Sequence, residues 1–230
     1  MRFKFNKIFF ASLLFFLPVQ GQTGVRPFKI DATELTQELQ KQSHGDGIKL
    51  VWWIPNEFWM ASSSKPGDMD ELITALEPYV FVAVIDGSVS RLGAFSYTPE
   101  EEIRKNTKIF DANGSFYLPL DSKMISGDVT NVISMIKPIL SNALGEMGKN
   151  FVFLVFPKKG KDGKPVVLPT KPGKFRIELG HEDFFYHLPL ASISPKLKCK
   201  NDSELFPSNF QYCPFHGSAL VAQDTSIIGK

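Results

Sequence analysis

The distribution of apolar positions predicts three buried strands set among short capped helices. Ile48-Lys49-Leu50-Val51-Trp52-Trp53-Ile54, Tyr79 to Ile85 and Phe151 to Phe156 are nearly continuous apolar runs of strand-prone residues, the pattern of strands covered on both faces. Asp31 can cap a helix with Glu34 at its third position, and Ile30 and Leu35 fit a hydrophobic staple. Asp68 opens a second helix carrying Leu72, Ile73 and Leu76, stopped by Pro78. Thr98-Pro99-Glu100-Glu101 reads as a third helix start. The longest helix is expected from Val129 to Met147, capped by Asp128, kinked at Pro138 and ended by Gly148. Asn113-Gly114 marks a hairpin. From Lys174 to Leu179 apolar and polar residues alternate, as in a half-exposed strand near a sheet edge.

Continuous apolar strands separated by helices predict an α/β fold: a mixed sheet covered by helices on both faces. Residues 22–194 form one globular domain in this reading. After Pro195 the periodicity fades, and residues 195–230 are expected as an irregular, disulfide-linked C-terminal tail packed on that domain.

The amino terminus changes this picture. Arg2, Lys4 and Lys7 precede the apolar run from Ile8 to Val19, and Val19-Gln20-Gly21 supplies a cleavage site. Residues 1–21 therefore read as a signal peptide, and the mature chain as secreted or periplasmic. The apolar run is shorter than the roughly 20 residues a span requires, so no stable membrane anchor is expected. Three of the 26 Lys and Arg residues and none of the 24 Asp and Glu residues lie in this segment, which leaves 23 basic against 24 acidic. That balance argues against nucleic acid as a partner. The lysines at 158, 159, 161, 164, 171 and 174 lack interleaved aromatic residues and read as a solvated loop. The chain has no Gly-rich phosphate loop, no GxSxG, no HExxH and no CxxC.

Candidate chemistry is sparse. Cys199 and Cys213 are the whole cysteine inventory, and in an exported chain two cysteines most simply form a disulfide. The alternative is a metal-stabilised module. Tyr212-Cys213-Pro214-Phe215-His216-Gly217 has the look of a zinc-ribbon turn, but Cys199 is followed by Lys200, Asn201 and Asp202, with no second soft ligand. No metal and no cofactor are expected on the favoured reading. His181 and His187 flank an aromatic run and face the same side if both lie on one strand. Trp52, Trp53, Phe58 and Trp59 gather around Glu57, with Phe58 and Trp59 in a loop after the strand, where open α/β sheets bind ligands. Asp86 closes the second strand, and a Glu57–Asp86 carboxylate pair is the best enzymatic arrangement available. Asn113-Gly114-Ser115 and Asn201-Asp202-Ser203 match the N-glycosylation sequon.

The segments Val51-Trp52-Trp53-Ile54-Pro55, Asp111 to Leu120, Phe151 to Pro157 and Tyr212 to Gly217, in that order, resemble uncharacterised exported bacterial proteins of unknown function. The resemblance implies export to a bacterial periplasm or beyond, and no activity. The expected function is an exported domain that binds an unknown protein or small ligand through Trp53, Glu57, Phe58, Trp59 and Asp86, favoured over an enzyme without deciding against one. The alternatives are a hydrolase using Glu57, Asp86 or the His181/His187 pair, and a metal-stabilised module at Cys199, Cys213 and His216.

Overall fold

The computed structural model describes residues 30–43, 47–63, 65 and 67–223. The export signal read from residues 1–21 lies outside the described residues. Helix α1 (Ala32–Leu39) begins as its sequence dictates: Asp31 accepts from the backbone N–H groups of Thr33 and Glu34 at 2.8 and 3.2 Å. This satisfies two of the free donors at a helix start. Strand β1 (Gln40–Gln42) turns back along β2 (Gly47–Trp53). The next residues correct an expectation. Phe58 and Trp59 lie in helix α2 (Asn56–Ser62), not in a loop, with Pro55 at its start.

Helix α3 (Asp70–Leu76) leads into β3 (Tyr79–Val89), the longest strand. Strand β4 (Phe95–Tyr97) and helix α4 (Glu100–Asn106) follow, then the hairpin of β5 (Thr107–Phe110) and β6 (Phe116–Tyr117). The hairpin is tied by Asp111, which accepts from the N–H groups of Asn113 and Ser115, while Gly114 takes a φ of 82°. The long helix α5 (Gly127–Leu144) contains Pro138 and is capped by Ser126. It stops at Gly145, whose φ of 60° breaks the run expected to reach Met147. The short α6 (Glu146–Lys149) intervenes before β7 (Val152–Pro157).

The three apolar runs do form one sheet, but that sheet is antiparallel throughout rather than mixed. Its strand order is β1-β2-β3, with the far side of β3 shared end to end: β7 pairs Tyr79 to Val84, and β4 pairs Gly87 to Val89. A second antiparallel sheet has the order β6-β5-β8-β9, from β8 (Gly173–Leu179) and β9 (Glu182–Leu188). The alternation in β8 appears as expected, with Phe175, Ile177 and Leu179 buried. Its place differs: β8 lies inside the sheet between β5 and β9, not at an edge. Alternation reports one wet face, and a central strand can have one.

Helices on both faces, the expected cover, are replaced by a sheet on one of them. Trp53, Val82 and Leu154 form one cross-strand row, and the Trp53 ring meets Phe175 and Tyr186 of the second sheet at 5.0 and 5.5 Å between centroids. The buried Tyr186 hydroxyl donates toward the carbonyls of Leu39 and Val51 at 3.2 and 3.3 Å, and burial pushes its pKa far up. Trp52, on the opposite face, meets Phe58 of α2 edge-on at 5.2 Å.

The described part of the C-terminal segment, residues 195–223, is not irregular. Strands β10 (Leu197–Lys198), β11 (Leu205–Phe206) and β12 (Val221–Ala222) form a three-stranded antiparallel sheet in the order β11-β10-β12. It has a small core of its own: Cys199, Phe206 and Cys213, with Leu220 against them. Among the described residues no helix is long and apolar enough to cross a membrane.

Candidate metal centre

Two loops of the C-terminal segment carry the cysteines, and the two loops share one pattern of backbone hydrogen bonds. In the first, Lys198 pairs with Leu205, the N–H of Cys199 donates to the carbonyl of Glu204 at 2.8 Å, and the N–H of Ser203 returns to the carbonyl of Cys199 at 3.0 Å. In the second, Tyr212 pairs with Ala219, the N–H of Cys213 donates to Ser218 at 2.8 Å, and the N–H of Gly217 returns to Cys213 at 2.8 Å. Counted from each cysteine, every bond joins the same positions. The fourth residue after each cysteine takes a positive φ, 69° at Ser203 and 64° at Gly217. Glycine adopts that conformation freely, whereas serine adopts it at a steric cost.

The second loop brings Cys213 and His216 together at the sulfur of Cys199. Cys199 Sγ and Cys213 Sγ each lie 3.5 Å from His216 Nδ1, and the sulfurs are 3.6 Å apart. These three ligand atoms all fall within 4.8 Å of one another. Both cysteines are buried, and His216 is partly open to solvent. Asp202 approaches from the first loop, with Oδ2 3.5 Å from His216 Nδ1. Its Oδ1 accepts from the N–H of Glu204 at 3.0 Å.

The disulfide expected between Cys199 and Cys213 is therefore corrected. A disulfide needs about 2.05 Å between sulfurs, and these two free thiols stand at 3.6 Å with the imidazole nitrogen against both. Burial pushes the Cys199 thiol up, yet the backbone N–H groups of Asn201 and Asp202 and the hydroxyl of Ser218, 3.7 Å away, outweigh it and leave the pKa below its ordinary value. Thiolate is the form that binds metals.

The other expected sites do not assemble. Trp53 is 1% exposed and belongs to the core. Glu57 lines a cavity of about 180 Å³ beside Trp53, Pro55 and Lys158. Asp86 lines a separate cleft of about 520 Å³ with Lys49, Glu102 and Glu182, so Glu57 and Asp86 form no carboxylate pair. His181 sits at the β8–β9 turn and His187 near the far end of β9, both exposed. They are separated by about 20 Å of extended strand. The Cys199–Cys213–His216 group is the one set of three or more such ligands found among the described residues. In the sequence, its strongest signal is the spacing C-x2-D-x10-C-x2-H. No family model, curated protein or solved structure matches this chain.

Proposed function

We propose that this is an exported domain whose C-terminal module is a metal-binding unit, with Cys199, Cys213 and His216 as ligands. The observation that carries this reading is the convergence of two sulfurs and one imidazole nitrogen at 3.5–3.6 Å. Two ligands at about 2.3 Å (sulfur) and 2.0–2.1 Å (nitrogen) from a tetrahedral zinc ion stand about 3.6–3.8 Å apart. The triad already has those edges, whereas hydrogen bonding alone gives no reason for three soft donors to meet edge to edge. Two thiolates and an imidazole suit zinc, and oxygen-seeking ions such as magnesium or calcium are poorly matched.

The module's core contains few buried apolar side chains besides the cysteines, so the ion's role on this reading is structural. The test is metal content. The full chain, purified and equilibrated with zinc, should retain one ion per molecule against a buffer of micromolar chelating strength, and Cys213→Ser should retain none. Wild-type protein that comes out of the same equilibration without metal refutes the reading.

A binding role for the larger domain moves away from the tryptophan segment. Trp52 and Trp53 are buried, and Phe58 and Trp59 pack against the same core. What supports a ligand site elsewhere is the Asp86 cleft, where Lys49 answers Glu182 at 2.7 Å and faces Asp86 across β2 and β3. Glu102 adds a further carboxylate, giving a polar, net acidic lining suited to a small ligand bearing an amine. A screen of amines by ligand-observed NMR tests it; equal binding by wild type and Asp86→Ala would remove the cleft from consideration.

A further inference from the structure

We propose that Asp202 is the fourth ligand of this centre, so that two copies of one loop close a tetrahedral zinc site of two sulfurs, one nitrogen and one oxygen. The inference rests on the metal-binding reading above and adds to it the ligand, the ion and the closed character of the site.

The first argument is the loop repeat. Each loop has the same strand pairing, the same two backbone hydrogen bonds and the same positive-φ residue. In the second loop, the residue three positions after the cysteine is His216, whose Nδ1 meets both sulfurs. In the first loop the equivalent residue is Asp202. Loops with the same hydrogen-bond pattern place these equivalent residues side by side, Asp202 Oδ2 standing 3.5 Å from His216 Nδ1. A search confined to soft ligands misses this, because the second donor of the first loop is an oxygen.

The second argument is which imidazole nitrogen the carboxylate addresses. A carboxylate that merely orients a metal-bound histidine bonds the ring nitrogen remote from the ion. Asp202 Oδ2 instead lies 3.5 Å from Nδ1, the nitrogen that faces both sulfurs. That separation is long for a hydrogen bond and close to the edge of about 3.3 Å between nitrogen and oxygen ligands of one zinc ion. The carboxylate is also prepared for one-oxygen ligation, because the Glu204 N–H holds Oδ1 and leaves Oδ2 on the side of His216 Nδ1.

Asp202 is not among the three groups whose ligand atoms lie mutually within 4.8 Å, so its side chain must swing inward to complete the tetrahedron. Its 38% exposure leaves room for that movement. Ser218, whose hydroxyl is 3.7 Å from Cys199 Sγ, is placed to hydrogen-bond the thiolate instead. A four-ligand protein site keeps no position for water and is structural, whereas three protein ligands leave a labile position.

The experiment uses the full chain loaded with cobalt(II) in place of zinc, read by its visible spectrum, together with zinc affinity from chelator competition. In wild type, added azide or thiocyanate should leave the spectrum unchanged. In Asp202→Ala, the same anions should shift it as they occupy the vacated position, and zinc affinity should fall at least about tenfold. Asp202→Cys should restore tight binding and add thiolate-to-cobalt charge-transfer intensity, which covers the case in which the alanine variant folds poorly. If wild type binds neither ion, the metal-binding reading itself fails. If wild type binds one ion but Asp202→Ala keeps both its affinity and its indifference to azide, the metal centre stands and Asp202 is not its ligand. A loss of affinity with no response to azide, and no new charge-transfer band in Asp202→Cys, also overturns the assignment and leaves Asp202 a positioning residue.

Discussion

Removing zinc from the full chain is expected to unfold the C-terminal module and leave the two large sheets standing. The two regions have separate cores. The main cluster runs from Leu35 to Leu190, whereas the module buries Cys199, Phe206 and Cys213, with Leu220 against them. Phe206 contributes only about 1.5–3 kcal/mol by burial, too little to order three short strands whose backbone costs about 1–2 kcal/mol per residue. On the proposed reading the ion supplies the difference, and structural zinc in zinc-finger peptides provides about 10–16 kcal/mol of apparent binding energy. At free zinc about 1,000 times the dissociation constant, binding stabilises the bound form by about 4.1 kcal/mol, a thousandfold in the opening equilibrium. The amides to watch are those that close the two loops: Cys199, Ser203, Cys213 and Gly217. On chelation their hydrogen-exchange protection should fall by about a thousandfold, while amides in β2, β3 and β7 keep theirs. Unchanged protection in the loops would refute a structural ion. Equal loss in β3 would refute the independence of the two cores.

Two further outcomes concern the larger domain. Phe58→Ala should destabilise the protein in urea by about 3 kcal/mol, because the ring is wedged between Trp52 and Trp59 at 5.2 and 5.3 Å; a loss well under 1 kcal/mol would return the segment to the surface as a binding site. Hydrogen bonds from Lys49 and Ser43 hold the Glu182 carboxyl below its ordinary value of 4.5, so its contribution is present above that pH and is lost as pH falls toward the lower folded-state value. The contribution is small for so exposed a pair, and the check is that Glu182→Gln flattens the urea midpoint between about pH 5 and pH 3 relative to wild type.

The parts of the fold legible in the sequence are those decided by neighbours along the chain. The Asp31 cap, the Asn113-Gly114 hairpin, the three apolar strands and the alternation of β8 each need only a few residues of context. Strand direction was not legible, since an apolar run covered on both faces reads the same beside a parallel or an antiparallel partner. What covers β2 was equally hidden: Trp53 meets Phe175 and Tyr186, more than a hundred residues away, and no local signal names that sheet rather than a helix as its partner. The helix expected from Val129 to Met147 stops at Leu144, where Gly145 takes a φ of 60° that the apolar stripe running past it does not announce.

The metal centre was half legible, for a chemical reason. Cys213-Pro214-Phe215-His216-Gly217 displays both its donors and the glycine its turn requires. The first loop conceals the same construction twice. Its positive-φ position is occupied by Ser203, so the turn carries no glycine to mark it, and its proposed second donor is the hard oxygen of Asp202. Read singly, Cys199 resembles one half of a disulfide. Read against its partner loop, bond for bond, it is the first residue of a repeated unit. The proposed export would strengthen rather than weaken this assignment. Two free thiols 3.6 Å apart in an oxidising compartment are exposed to disulfide formation, and the proposed zinc ligation would keep both as thiolates held beyond bonding distance.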